Sequence, residues 1–81
     1  MNECFLQGKI ISKINFDFIL NGENDSIAFF DLKLSNKSNI KIKAYDELAD
    51  YCYSKLKKED KVFIYGKLEE NFVESIEIKR L

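Results

Sequence analysis

The chain has 81 residues, 46% hydrophobic and 33% charged, which is one domain's length and excludes an intrinsically disordered chain. No apolar run approaches the roughly 20 residues that cross a bilayer, and the opening Met-Asn-Glu-Cys lacks the basic-then-apolar order of a secretory signal, so no membrane partner is expected. A formal net charge of −1 excludes a chain that attracts nucleic acid by overall charge, and leaves the distribution of charge as what matters.

Two-residue alternation, the signature of strands, dominates the chain from its start. Cys4, Leu6, Gly8 and Ile10 alternate with Phe5, Gln7 and Lys9. Ile14 to Leu20 continues in β-favouring residues, with Ile14, Phe16, Phe18 and Leu20 on one side. The two runs read as one long strand bent near Ser12-Lys13, as closure of a small barrel requires. Asn21 to Asp25 is a turn by composition. Between Ile27 and Leu34, Ala28, Phe30, Leu32 and Leu34 stand opposite Phe29, Asp31 and Lys33. After a polar turn at Ser35–Asn39, Ile40, Ile42 and Ala44 face inward and Lys41, Lys43 and Tyr45 outward.

The period then changes. Leu48, Ala49, Cys52 and Leu56 fall at helical spacings behind Asp46, a residue suited to an N-cap, which predicts a helix over Glu47–Lys57. Val62–Leu68 is a strand with Val62, Ile64, Gly66 and Leu68 inward, and Phe72–Ile78 is the last strand, after a tight turn. Five strands in the order β-β-β-α-β-β, all-β with one helix, is the order of an OB-fold barrel. One such domain over residues 1–81 is the expected organisation.

The chemistry available is narrow. There is no histidine and only two cysteines, Cys4 and Cys52, short of the four N or S ligands of a tetrahedral metal site; both cysteines read as small apolar side chains. Neither has a histidine partner, and there is no glycine-rich phosphate loop, so neither an enzyme nor a cofactor is expected. All the basic residues but Arg80 are lysine, isoleucine and asparagine are abundant, and proline is absent, as an AT-rich genome would give. A bacterial cytoplasm or a plastid stroma is the expected location. Charge is segregated: Lys33, Lys37, Lys41 and Lys43 stand between Leu32 and Tyr45 with no acid after Asp31, whereas Glu69, Glu70, Glu74 and Glu77 crowd the end of the chain.

Several stretches resemble the bacterial and organellar single-stranded-DNA-binding proteins. The opening Asn2 to Ile10, Phe30 to Asn36, and Ile40 to Ala49, whose last residues stand against a Gly-Lys-Leu-Ala that opens the helix, are similar to their first strands. The strongest likeness is Leu56-Lys57-Lys58-Glu59-Asp60-Lys61-Val62-Phe63-Ile64-Tyr65-Gly66-Lys67-Leu68, against a pattern Leu-Lys-Lys-Gly-Asp-x-Val-x-Val-x-Gly-Arg-Leu. The likeness covers nearly the whole chain, and its length and composition suit the short plastid, cyanobacterial or primosomal members. It implies an OB barrel, single-stranded nucleic acid as ligand with DNA ahead of RNA, a homodimer or homotetramer, and a replication protein as a further partner. The chain departs from the family in its short loops at Ser35–Asn39 and Glu69–Asn71, its acidic hairpin and its lack of tryptophan. The acidic tail of full-length members is expected to be missing, since the sequence ends at Leu81.

Binding single strands takes cations for phosphates and flat faces for bases. The outward residues Phe29, Lys33, Lys41, Lys43 and Tyr45, with Lys9 on the first strand, supply both, Tyr45 matching a family aromatic. The alternatives stay open: the lysines can be a solvated strand face, Phe5 and Phe29 can serve a subunit interface, and Phe63 and Tyr65 fit either role. A second function class is a protein–protein adaptor, since OB barrels are reused that way. Reduced affinity and strong salt sensitivity are expected in either case where nucleic acid binds.

Overall fold

The computed structural model describes residues 2–20 and 22–81; Asn21, the first residue of the expected turn, lies outside them. Seven elements follow: β1 (Glu3–Ile10), β2 (Asn15–Phe18), β3 (Ser26–Leu34), β4 (Asn39–Tyr45), α1 (Asp46–Lys55), β5 (Lys61–Leu68) and β6 (Val73–Arg80). Neighbouring strands run β1-β5-β6-β4-β3, and β1 returns to β3 to close a five-stranded OB barrel. β2 extends the sheet beyond the closure, paired to β3 alone.

β1 and β2 are the two halves of the first run, and the break falls where it was expected. Between Ile10↔Leu32 and Asn15↔Phe29, five steps along the first run face three along β3. Ile11 N–H donates to the Asp31 carbonyl at 3.0 Å, while the Ser12 hydroxyl accepts from Asp31 N–H at 2.9 Å. A side-chain oxygen thus replaces the backbone acceptor lost at the bend, so the ladder stays satisfied.

Inside the barrel, Ile10, Ala28, Phe30, Leu32, Ile42, Ala44, Val62, Ile64 and Val73 are completely buried. Alternation within the strands of the barrel puts these residues inward, most plainly in β3 and β4, where every second position is apolar. The helix covers β3 and β4 with Ala49 and Cys52, both fully buried. Both cysteines are free, Cys52 buried and Cys4 half-buried, and burial pushes the Cys52 thiol up to about 12. At neutral pH it is a protonated, apolar core residue.

On the side shared by Phe16, Phe18 and Leu20, Phe16 meets the helix at Tyr53, while Phe18 and Leu20 are 77% and 103% exposed. Three expectations are corrected. Leu68 is 46% exposed, since it is the last residue of β5, at the rim where the hairpin to β6 begins. The helix ends at Lys55, not Lys57, because Leu56 turns extended and buries itself in the core. Asp46 is not the N-cap: Tyr45 holds that position without a side-chain cap. Asp46 instead has φ +56° and its Oδ1 accepts from the backbone N–H groups of Asp25 at 2.6 Å and Ser26 at 3.4 Å, tying the β2–β3 hairpin to the helix start.

One buried side-chain oxygen among the described residues lacks a partner, the Ser75 hydroxyl. An unsatisfied buried polar group costs about 1–3 kcal/mol. Ser75→Ala is therefore expected to raise the unfolding free energy by about 1 kcal/mol in urea denaturation. A loss of stability would mean that the hydroxyl is satisfied in solution.

Candidate nucleic-acid interface

The antiparallel register of β3 and β4 sets Phe29 opposite Lys43, Asp31 opposite Lys41 and Lys33 opposite Asn39, with Tyr45 opposite Ile27. Because side chains alternate, all of these share the outer face. Five of the six residues singled out from the sequence, Phe29, Lys33, Lys41, Lys43 and Tyr45, are thereby brought together on two adjacent strands.

The cations on this face are held by rings as much as by acids. The Lys41 ammonium lies 5.7 Å from the centre of the Phe29 ring and 3.4 Å from the Asp31 carboxylate, both partners being 45% exposed. A pair that exposed contributes about 0–1 kcal/mol and yields to a competing anion. Lys43 lies 4.0 Å over the ring of Phe72, although the parallel pairing of β4 with β6 makes Glu74 its register partner.

Phe72 is the functional candidate that the sequence reading missed. Its sequence pattern places it at the start of the last strand, whereas β6 begins at Val73 and Phe72 stands in the β5–β6 hairpin, where its carbonyl accepts from Glu69 N–H at 2.8 Å. The signal available was an aromatic directly behind an acidic turn. Tyr45 is half-buried nearby, and its pKa is raised by desolvation and by the charges of Glu74 and Glu69. The acidic hairpin thus borders the face on its β6 side.

Lys9, the sixth residue, lies around the barrel wall on β1. It faces Lys33 across the β1–β3 pairing and Lys61 across the β1–β5 pairing, and its ammonium is 3.3 Å from Glu59. Lys33 therefore joins the β3–β4 face to Lys9.

Phe5, Phe63 and Tyr65 gather on the outer face of β1 and β5. Phe5 stacks on Tyr65 at 4.8 Å and stands 6.1 Å from Phe63, and it remains 67% exposed. A hydrogen bond to Glu3, added to partial desolvation, raises the Tyr65 pKa. β3 reaches β1 only at Gly8–Ile10, so the Glu3–Gln7 edge pairs with β5 on one side alone.

By sequence the chain matches no protein-family model and no curated protein. By structure it is similar to the SSB domain of a Synechococcus protein (TM-score 0.86, 14% identity), with 96% of this chain and 93% of that one covered. It is similar to the small single-stranded DNA-binding protein of Streptomyces coelicolor (TM-score 0.85, 17% identity), over 100% and 95% of the two chains. It is also similar to the single-stranded DNA binding protein of Thermus aquaticus (TM-score 0.87, 19% identity), of which it spans only 40%. The likeness runs over 96–100% of this chain at TM-scores of 0.85–0.87, and it shows that the chain has the OB fold found in these single-stranded-DNA-binding proteins.

Proposed function

We propose that this protein binds single-stranded nucleic acid, DNA ahead of RNA, on the outer face of β3 and β4, without catalysis, in DNA replication, recombination or repair. The observation that carries this reading is the alternation of cations and rings on one face: Phe29, Lys41, Lys43 and Phe72 in contact, with Tyr45 beside them. Each base stacked on such a ring contributes about 1–3 kcal/mol whatever its identity, and each lysine neutralises a phosphate and releases counterions. Affinity is low because the β3–β4 turn spans only residues 35–38, which leaves no long loop to fold over a strand. The carboxylates of Glu69 and Glu74 near Tyr45 oppose phosphate on that border.

Fluorescence anisotropy of a labelled oligo-dT at low salt tests this. Binding that weakens steeply with added salt is the expected result. No change in anisotropy at high protein concentration would end the nucleic-acid reading.

The Phe5–Tyr65–Phe63 patch beside the open Glu3–Gln7 edge favours a second, compatible role as a protein contact, with another copy of the chain as the simplest occupant. An adaptor without nucleic-acid binding remains the rival function, and the same titration separates the two.

A further inference from the structure

Around the barrel wall from the β3–β4 face, three strands carry a row of like charges. Lys33 on β3, Lys9 on β1 and Lys61 on β5 are direct cross-strand partners, so the row crosses two strand spacings, on the order of 10 Å. Like charges directly opposite one another destabilise a sheet. Lys37, held at φ +69° in the β3–β4 turn, adds a fourth ammonium above them. Together with Gln7, Gly8, Leu34 and Ser35 these lysines line an open groove of about 640 Å³. Among the described residues the one acid paired with any of the four is Glu59, on Lys9; Lys33, Lys37 and Lys61 are exposed and have no ion pair.

We propose that this groove is a second phosphate-binding subsite, which takes the sugar–phosphate backbone of a single strand leaving the β3–β4 face. The proposal rests on the reading of that face as a nucleic-acid site. Lys33, diagonal to Lys41 across the β3–β4 pairing, makes the two surfaces continuous. On the opposite border Glu69 and Glu74 repel phosphate, so the path runs one way: from Phe72 and Lys43, past Phe29 and Lys41, to Lys33, Lys9 and Lys61. The groove holds lysines, an amide and a hydroxyl but no ring, which suits backbone contact without base stacking.

Glu59 is the groove's internal counterion. It sits at φ +83°, a left-handed conformation that glycine adopts at little cost and other residues do not. The backbone strain thus accompanies a carboxylate placed on Lys9. An incoming phosphate displaces that carboxylate, so Glu59 weakens the groove's hold on nucleic acid.

Anisotropy titrations of the full chain with two oligo-dT probes, about 16 and about 5 nucleotides long, test the groove across the range of OB-fold site sizes. Lys37→Glu/Lys61→Glu is expected to weaken the long probe about tenfold, to flatten its log–log salt slope by about 1.4, and to leave the short probe unchanged. Glu59→Gly, which also relieves the strained backbone, is expected to tighten the long probe about threefold. Thermal melts confirm folding in each variant. If wild type binds both probes and the double variant leaves the long one unchanged, the groove is not a subsite and the proposal fails alone. Equal loss of both probes also overturns it, since that is the effect of general charge. If wild type binds neither probe, the reading of the β3–β4 face fails and the groove with it. Loss of an oligo-glutamate peptide in the double variant, with the long probe unaffected, would assign the groove to an acidic protein instead.

Discussion

Lys41→Glu/Lys43→Glu is expected to lower affinity for labelled oligo-dT at least about tenfold at low salt and to reduce the log–log salt slope by about 1.4. Two phosphate contacts are lost, each accounting for about 0.7 of the single-strand slope. Two new carboxylates then join Asp31 and Glu74 on the same face, where the wild-type arrangement sets Lys41 on Asp31 and Lys43 on Phe72. Both side chains point out of the barrel, so the cost to stability comes from the new carboxylates standing opposite Asp31 and Glu74, about 1 kcal/mol in all. A cooperative melt well above the assay temperature separates lost binding from lost folding. Unchanged retention of the oligonucleotide in a folded variant would favour the adaptor role.

Gly8→Ala should cost the barrel about 1–3 kcal/mol. Closure depends on β1 meeting β3 over only Gly8–Ile10, and a Cβ at Gly8 would run into the Lys33 carbonyl. That obstacle is backbone in the middle of a ladder and cannot swing aside as a side chain would. Gly66 repeats the situation across the barrel, where a Cβ would meet the Glu74 carbonyl beside the β5–β6 bulge. Urea denaturation of Gly8→Ala and Gly66→Ala measures both. Wild-type stability in either would mean that the strands have room to separate there without loss of the fold.

The strands that build the site were legible because their two faces differ in chemistry. In β3 and β4 each inward residue from Ala28 to Leu32 and from Ile42 to Ala44 is apolar and buried, which fixes Phe29, Lys41, Lys43 and Tyr45 as outward without knowledge of register. Alternation cannot report where a barrel wall ends, so Leu68 reads as an inward position and is exposed, and nothing in the pattern separates Phe16 from the exposed Phe18 and Leu20. Cross-strand pairing was equally out of reach. Lys9, Lys33 and Lys61 lie far apart in the chain and become neighbours only through register. The contact of Phe72 with Lys43 likewise depends on the short parallel pairing of β4 with β6.

Backbone sign was hidden for a related reason. Asp46 and Glu59 stand where the family patterns have glycine, and both take left-handed φ without being glycine. Asp46 reads as a cap because aspartate favours that role; in the structure the left-handed turn, which aspartate tolerates better than most residues, aims its carboxylate at the β2–β3 hairpin instead. Each of these acids has a hydrogen bond or an ion pair at the end of its unusual backbone.

If the β3–β4 face receives the single strand, titration with oligo-dT followed by amide chemical shifts should move Phe29, Lys41, Lys43, Tyr45 and Phe72 most. Shifts concentrated instead around Phe5, Phe63 and Tyr65, with the β3–β4 face silent, would contradict that binding mode.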